Sequence, residues 1–164
     1  MFQNGIKEEG MNHLIKSFGS NPELCFLKLN DNLIKDSAPV LVETLPLLQN
    51  LQVLDISDSL LGHSHSVNIF KTLAGNTAIK EIYCNYNEIE KKSAQKVIFE
   101  ICLTLPNLEV VEVKGNDIDP GLWKKFKNDL RNKIKNFEPY SDEEEVLLEE
   151  EDELLEELEK LEIK

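Results

Sequence analysis

An α/β solenoid of short parallel strands backed by helices is the fold class the sequence predicts, on three observations. A short template recurs at a spacing near 28 residues. Within each copy the apolar residues alternate, as on one face of a strand. Between copies they fall three and four apart, as on one face of a helix. A unit made of one strand and one helix cannot bury its apolar side alone, so such units stack.

The template reads L-x-x-L-x-L-x-x-N-x-L, the pattern of a leucine-rich repeat. Its first copy is Leu24, Leu27, Leu29, Asn32 and Ile34, and its second is Leu51, Leu54, Ile56, Ser59 and Leu61. The third is Ile79, Ile82, Cys84, Asn87 and Ile89, and the fourth is Leu108, Val111, Val113, Asn116 and Ile118. Asn4 and Ile6 read as the end of a partial copy. The turn positions 4, 32, 59, 87 and 116 are 28, 27, 28 and 29 apart. Asn32, Asn87 and Asn116 are expected to be buried structural turns, their amides satisfying backbone groups that the turn leaves without partners. Ser59 fills the same slot with a shorter reach, which predicts a looser turn there. Cys84 stands in a leucine slot and reads as a small core hydrophobe.

Helices are expected over residues 7–18, 35–48, 65–74 and 91–105, with Pro46 and Pro106 where two of them should stop. His63-Ser64-His65 reads as loop surface. A closing helix follows the fourth copy: Asp119 suits an N-cap, Pro120 a first helical residue, and Trp123, Phe126, Leu130, Ile134 and Phe137 recur at helical spacing. The expected architecture is a horseshoe with a concave parallel sheet and convex helices, of the helix-rich ribonuclease-inhibitor-like class. Repeats and closing helix would occupy 1–137. The opening, without a polar cover before Asn4, reads as cut from a longer repeat array.

Charge divides the chain differently. Of its net −13, residues 138–164 carry −12, from 14 acidic side chains against two lysines. An acidic tail on a nearly neutral body repels phosphate, so neither nucleic acid nor an anionic membrane is an expected partner; a basic protein surface is. No run of about 18 apolar residues suggests membrane insertion. Three cysteines without a framework spacing point to reduced thiols in an intracellular protein. No metal site, phosphate loop or catalytic set emerges from His13, His63, His65 or Arg131, and no cofactor is expected.

Residues between the buried strand positions should face a partner. They are Phe26, Lys28 and Asn30; Val53, Asp55 and Ser57; Glu81, Tyr83 and Asn85; Val110, Glu112 and Lys114, with Asp31, Asp58 and Tyr86 in the loops after them. Phe26 and Val53 would be exposed apolar contacts.

Several segments resemble one known family. Phe2-Gln3-Asn4-Gly5-Ile6 through Gly10-Met11 is similar to the Q-N-G-I-x-x-E-G-I segment of the Ran GTPase-activating proteins. Leu27-Lys28-Leu29-Asn30-Asp31-Asn32 resembles their L-D-L-x-D-N turn, Tyr86-Asn87-Glu88-Ile89 their Y-N-E-I, and Leu108 to Asn116 their last repeat. Leu51 to Leu61 and the acidic tail fit the same order. The resemblance implies a regulator, not itself an enzyme, that binds the GTP form of the small GTPase Ran, promotes its GTP hydrolysis and supports nucleocytoplasmic transport. It also implies a cytoplasmic protein, with the nuclear envelope as a further location. Gln3, Asn4, Asn30, Asp31, Ser57 and Asp58 would then lie nearest the partner. The earlier repeats that carry the family's arginine and N-N-G-L asparagine have no counterpart here, so no catalytic residue carries over. Leu155, Leu158, Leu161 and Ile163 have the spacing of a leucine-rich nuclear export signal, implying an export receptor as a second partner. The alternative is a non-catalytic leucine-rich repeat scaffold for another protein, since fold does not set function.

Overall fold

The computed structural model describes residues 6–133. Gln3 and Asn4, the end of the closing helix, the acidic tail and the export-signal leucines Leu155, Leu158, Leu161 and Ile163 lie outside the described residues. So does the expectation about the cut opening.

Nine principal elements alternate among the described residues: α1 (Glu8–Phe18), β1 (Phe26–Lys28), α2 (Ala38–Thr44), β2 (Val53–Asp55), α3 (Gly62–Leu73), β3 (Glu81–Tyr83), α4 (Lys92–Thr104), β4 (Val110–Glu112) and α5 (Pro120–Lys133). The strands form one parallel sheet in the order β1-β2-β3-β4. Parallel neighbours need a crossover, and α2, α3 and α4 supply the three. The register stacks like on like: Leu27, Leu54, Ile82 and Val111 are partners in one row. All four are buried, at 5% exposure or less. The result is an α/β fold of leucine-rich-repeat type.

Each strand is only three residues long, yet the ladder runs on into the turns. Leu29 N–H donates to Asp55 O at 2.8 Å and Asp31 N–H to Ser57 O at 3.1 Å. Tyr86 N–H donates to Lys114 O at 2.7 Å. Successive coils are therefore bonded as far as the residue before each turn asparagine.

The helices carry the opposite wall of the core. Met11 and Ile15 of α1, Leu41 of α2, Ile69 and Phe70 of α3 and Ile98 of α4 are buried. Two helices depart from expectation. The stretch expected to be helical over 35–48 breaks into a 3₁₀ turn at Lys35–Ser37, α2, and a second 3₁₀ turn at Leu45–Leu47. Pro46 has no N–H to give an α-helical ladder and crowds the residue before it, so the last turn tightens. The third helix begins at Gly62 rather than 65. His63 and His65 thus belong to the first turn of α3, not to a loop. Gly62 makes the corner with φ at +64°, its N–H donates to Asn87 O at 2.8 Å, and Ser66 Oγ donates to its carbonyl at 2.8 Å.

At the C-terminal end of the described residues α5 packs on α4. Asp119 Oδ1 accepts from Leu122 N–H at 2.8 Å, as an N-cap does. Phe99 of α4 stacks on Phe126 with centroids 4.2 Å apart, and Trp123 tilts against both rings. Lys133 Nζ reaches the last carbonyls of α4, donating to Leu103 O at 2.8 Å and also to Leu105 O. A cation there offsets the partial negative charge of the helix end.

Candidate binding surface

The turn asparagines set the frame of this surface. Asn87 is fully buried; its amide donates to Ile56 O of the preceding coil at 2.8 Å and to Asn85 O at 3.1 Å. Its Oδ1 accepts from Ser59 N–H at 3.2 Å and Leu61 N–H at 3.3 Å. Asn116 repeats the arrangement one coil on, donating to Cys84 O at 2.8 Å and accepting from Asn87 N–H at 2.9 Å. Asn32 Nδ2 donates to Leu29 O at 3.1 Å and Asn30 O at 3.0 Å. Ser59 Oγ donates only within its own coil, to Ser57 O at 3.1 Å. Asn87 and Asn116 thus bridge to the preceding coil, whereas the shorter side chain at 59 bonds within its own coil.

A second rail escaped the sequence reading. On the segments that lead into the strands, Asn50 donates to Pro22 O at 3.1 Å, Asn76 to Leu48 O at 3.2 Å and Asn107 to Thr77 O at 2.7 Å. Each bond again reaches the preceding coil. Buried Gln95 of α4 does similar work, donating to Ile89 O and Asp117 O at 2.9 Å each. An asparagine just before three of the strand starts was the available signal; the unequal spacing of 50, 76 and 107 hid it.

On that frame the solvent side of the sheet presents two rows. One is Phe26, Val53, Glu81 and Val110; the other is Lys28, Asp55, Tyr83 and Glu112. Phe26 is 63% exposed, but Val53 is only 4% exposed. The expectation of an exposed Val53 is thus corrected: a short β-branched side chain between the longer Phe26 and Glu81 keeps almost no access to water. Tyr83 donates its hydroxyl to Glu81 Oε2 at 2.9 Å. Partial burial, then that bond and the charges of Glu81, Glu112 and Asp55, push its phenol up to about 12.

The next row is less free than expected. Ser57 Oγ accepts from Asn85 N–H at 3.2 Å, Asn85 Nδ2 donates to Glu112 Oε2 at 2.9 Å, and Lys114 N–H donates to Asn85 Oδ1 at 2.7 Å. Ser57 and Asn85 therefore hold coil to coil before they can hold a partner. Asn30 Nδ2 donates to Asp31 Oδ2 at 3.0 Å. Of the residues expected to contact a partner, Phe26, Lys28, Asn30, Asp31, Ser57 and Asp58 are brought to one side of the molecule.

The edge after the strands has an unusual backbone. Asp31, Asp58, Tyr86 and Gly115 hold equivalent places, each with φ between +50° and +63°. Aspartate and glycine enter this left-handed region readily, tyrosine does not. Gly115 is required for a second reason: a Cβ there would lie 2.2 Å from Tyr86 Cδ1. The Tyr86 ring lies across Gly115 and is 59% exposed.

Among the described residues no group of three or more histidine, cysteine or acidic side chains could hold a metal, and no helix is long and apolar enough to cross a membrane. Cys84 and Cys102 are buried, and burial pushes both thiols up, that of Cys84 to about 12.

No family model and no curated protein matches this sequence. Solved structures do match its fold. The tropomodulin C-terminal domain of Caenorhabditis elegans superposes with a TM-score of 0.68 at 15% identity, over 77% of this chain and 76% of that one. A structure of leiomodin-1 described as its actin-binding site 2 gives 0.61 at 13% identity, over 77% and 73%. These neighbours overturn the resemblance to Ran GTPase-activating proteins. With it fall the Ran partner, the role in nucleocytoplasmic transport and the export receptor, none of which any match supports. Part of what carried that resemblance is the turn residues Asn32, Asn87, Asn116 and Gly115 and their neighbours, which the coil itself requires. At these identities the likeness establishes a common leucine-rich-repeat-type fold, shared with the tropomodulin C-terminal domain and the leiomodin-1 structure.

Proposed function

We propose that the chain is a non-catalytic protein-binding module, with actin as the partner to test first. In this reading the coils bend into a horseshoe, the sheet on its concave side and the helices on its convex side. Support for the bend comes from the pairing of one narrow strand with one wider helix in each coil at a period near 28. The observation that carries the binding reading is the open sheet face, where Phe26 is 63% exposed beside a row of charged and hydroxyl groups. An exposed aromatic within a polar rim is the usual make-up of an interaction hot spot. Actin comes in through the fold likeness to a leiomodin-1 structure described as an actin-binding site. A cytoplasmic setting belongs to the same proposal, supported by Cys25, Cys84 and Cys102 standing as free thiols.

The test is retention of purified actin, monomeric and filamentous, by the immobilised chain. Retention that Phe26→Glu lowers about tenfold supports the proposal, since one hot-spot residue contributes on the order of a factor of ten. Absence of retention in both forms refutes actin as partner.

A further inference from the structure

Of the five large hydrophobic side chains exposed among the described residues, three (Leu33, Leu60 and Tyr86) stand on the edge formed by the loops after the strands. Leu33 is 57% and Leu60 42% exposed. They occupy the same place in adjacent coils, one residue after Asn32 and Ser59. With Asp31, Asn32 and Asp58 they line a depression of about 230 Å³.

Neither core nor backbone asks for leucine at 60. The side chain points to solvent, and the residue holds φ at +51°, where a leucine Cβ is crowded and glycine or asparagine is favoured. The equivalent residues in the next two coils, Glu88 and Asp117, share the left-handed backbone and are polar. Coils one and two thus display an apolar pair where the others display charge. Asp31 and Asp58, one residue before each turn position, set a carboxylate beside each leucine. Adjacent coils lie about 4.8 Å apart, so the two acids and two leucines form one compact patch.

We infer that this edge depression docks a short basic-apolar segment of a partner protein: a bulky apolar residue for the Leu33–Leu60 floor, with an arginine or lysine on either side for Asp31 and Asp58. Charge decides between occupants. A second copy of this chain, at net −13, would bring repulsion to a rim that is already acidic. A basic segment meets complementary charge and is steered toward it. The inference rests on the reading of the chain as a protein-binding module and names the chemistry of one of its contacts.

Fluorescence anisotropy of the full chain with a labelled peptide tests it, the peptide carrying one leucine between two arginines and its control carrying glutamates in their place. Binding of the arginine peptide should exceed that of the control at least about tenfold and weaken with salt. Asp31→Asn with Asp58→Asn, and separately Leu60→Gly, should each weaken it at least about fivefold. Leu60→Gly relieves a crowded backbone, so a fall in binding with an unchanged or higher melting temperature is not a loss of folding. Arginine peptide bound equally by native chain and variants, as capture by the acidic stretch 138–164 would give, overturns the inference, and so does absence of binding. Actin retained by a chain that fails these peptide tests refutes the edge site while leaving the binding-module reading standing.

Discussion

Replacing Asn87 with alanine removes a dense polar joint between two coils of the stack. The amide group makes bonds to Ile56 O, Asn85 O, Ser59 N and Leu61 N, from 2.8 to 3.3 Å, in a site with no solvent access. Alanine leaves those backbone groups without this partner. A buried group so orphaned costs about 1–3 kcal/mol, and a normal exchange of bonds with water about 1 kcal/mol. The bonds to Ser59 and Leu61 are long, and water can enter the space vacated, so the expected loss is about 3–4 kcal/mol rather than the full sum. Ser59→Ala provides the internal comparison. It gives up one bond, to Ser57 O, and should lose about 1 kcal/mol. Urea unfolding of both variants, followed by far-ultraviolet circular dichroism, measures the difference. Against a total stability of about 5–15 kcal/mol, the first variant should unfold at a visibly lower midpoint. Unfolding free energies for the two variants within about 0.5 kcal/mol of each other would refute the idea that the asparagine bridges hold coil to coil.

Gly115→Ala should cost about 1–3 kcal/mol in a thermal melt, because φ of +63° disfavours a Cβ that would also sit 2.2 Å from the Tyr86 ring; an unchanged melt would mean the ring moves freely. The raised thiol of Cys84 favours the folded state fully below about pH 9 and progressively less as pH climbs toward about 12. The urea midpoint of the native chain should therefore fall between pH 9 and 10 more than that of Cys84→Ala with Cys102→Ala, and parallel curves would count against a buried-thiol cause. The hydrogen bond from Lys92, then that from Leu122 N–H, holds Asp119 below its ordinary range. A depressed carboxylate stabilises the fold above its unfolded value and loses that contribution as pH falls through its folded one. Native chain should lose thermal stability on acidification below about pH 4 more steeply than Asp119→Asn, and superimposable acid profiles would remove Asp119 from the account.

What the sequence determined by itself was the wall of the core. Leu27, Leu54, Ile82 and Val111 are read as equivalent because burial on one side of a strand demands apolar side chains at a strict period, and no other constraint produces that pattern. The turn asparagines follow for the same reason: a fixed backbone corner leaves fixed groups to satisfy. Those corner residues also misled, since any chain that makes this coil needs them, whatever it binds. Only the tertiary structure decided the surface. Val53 and Phe26 look alike in sequence, but neighbours across the sheet bury one and leave the other exposed. Ser57 and Asn85 look available, but the coils beside them use their polar atoms. The depression lined by Leu33, Leu60, Asp31 and Asp58 joins residues 27 apart into one patch. A side chain's exposure and its neighbours are properties of the packed assembly of coils, and local sequence carries them only where packing imposes a period.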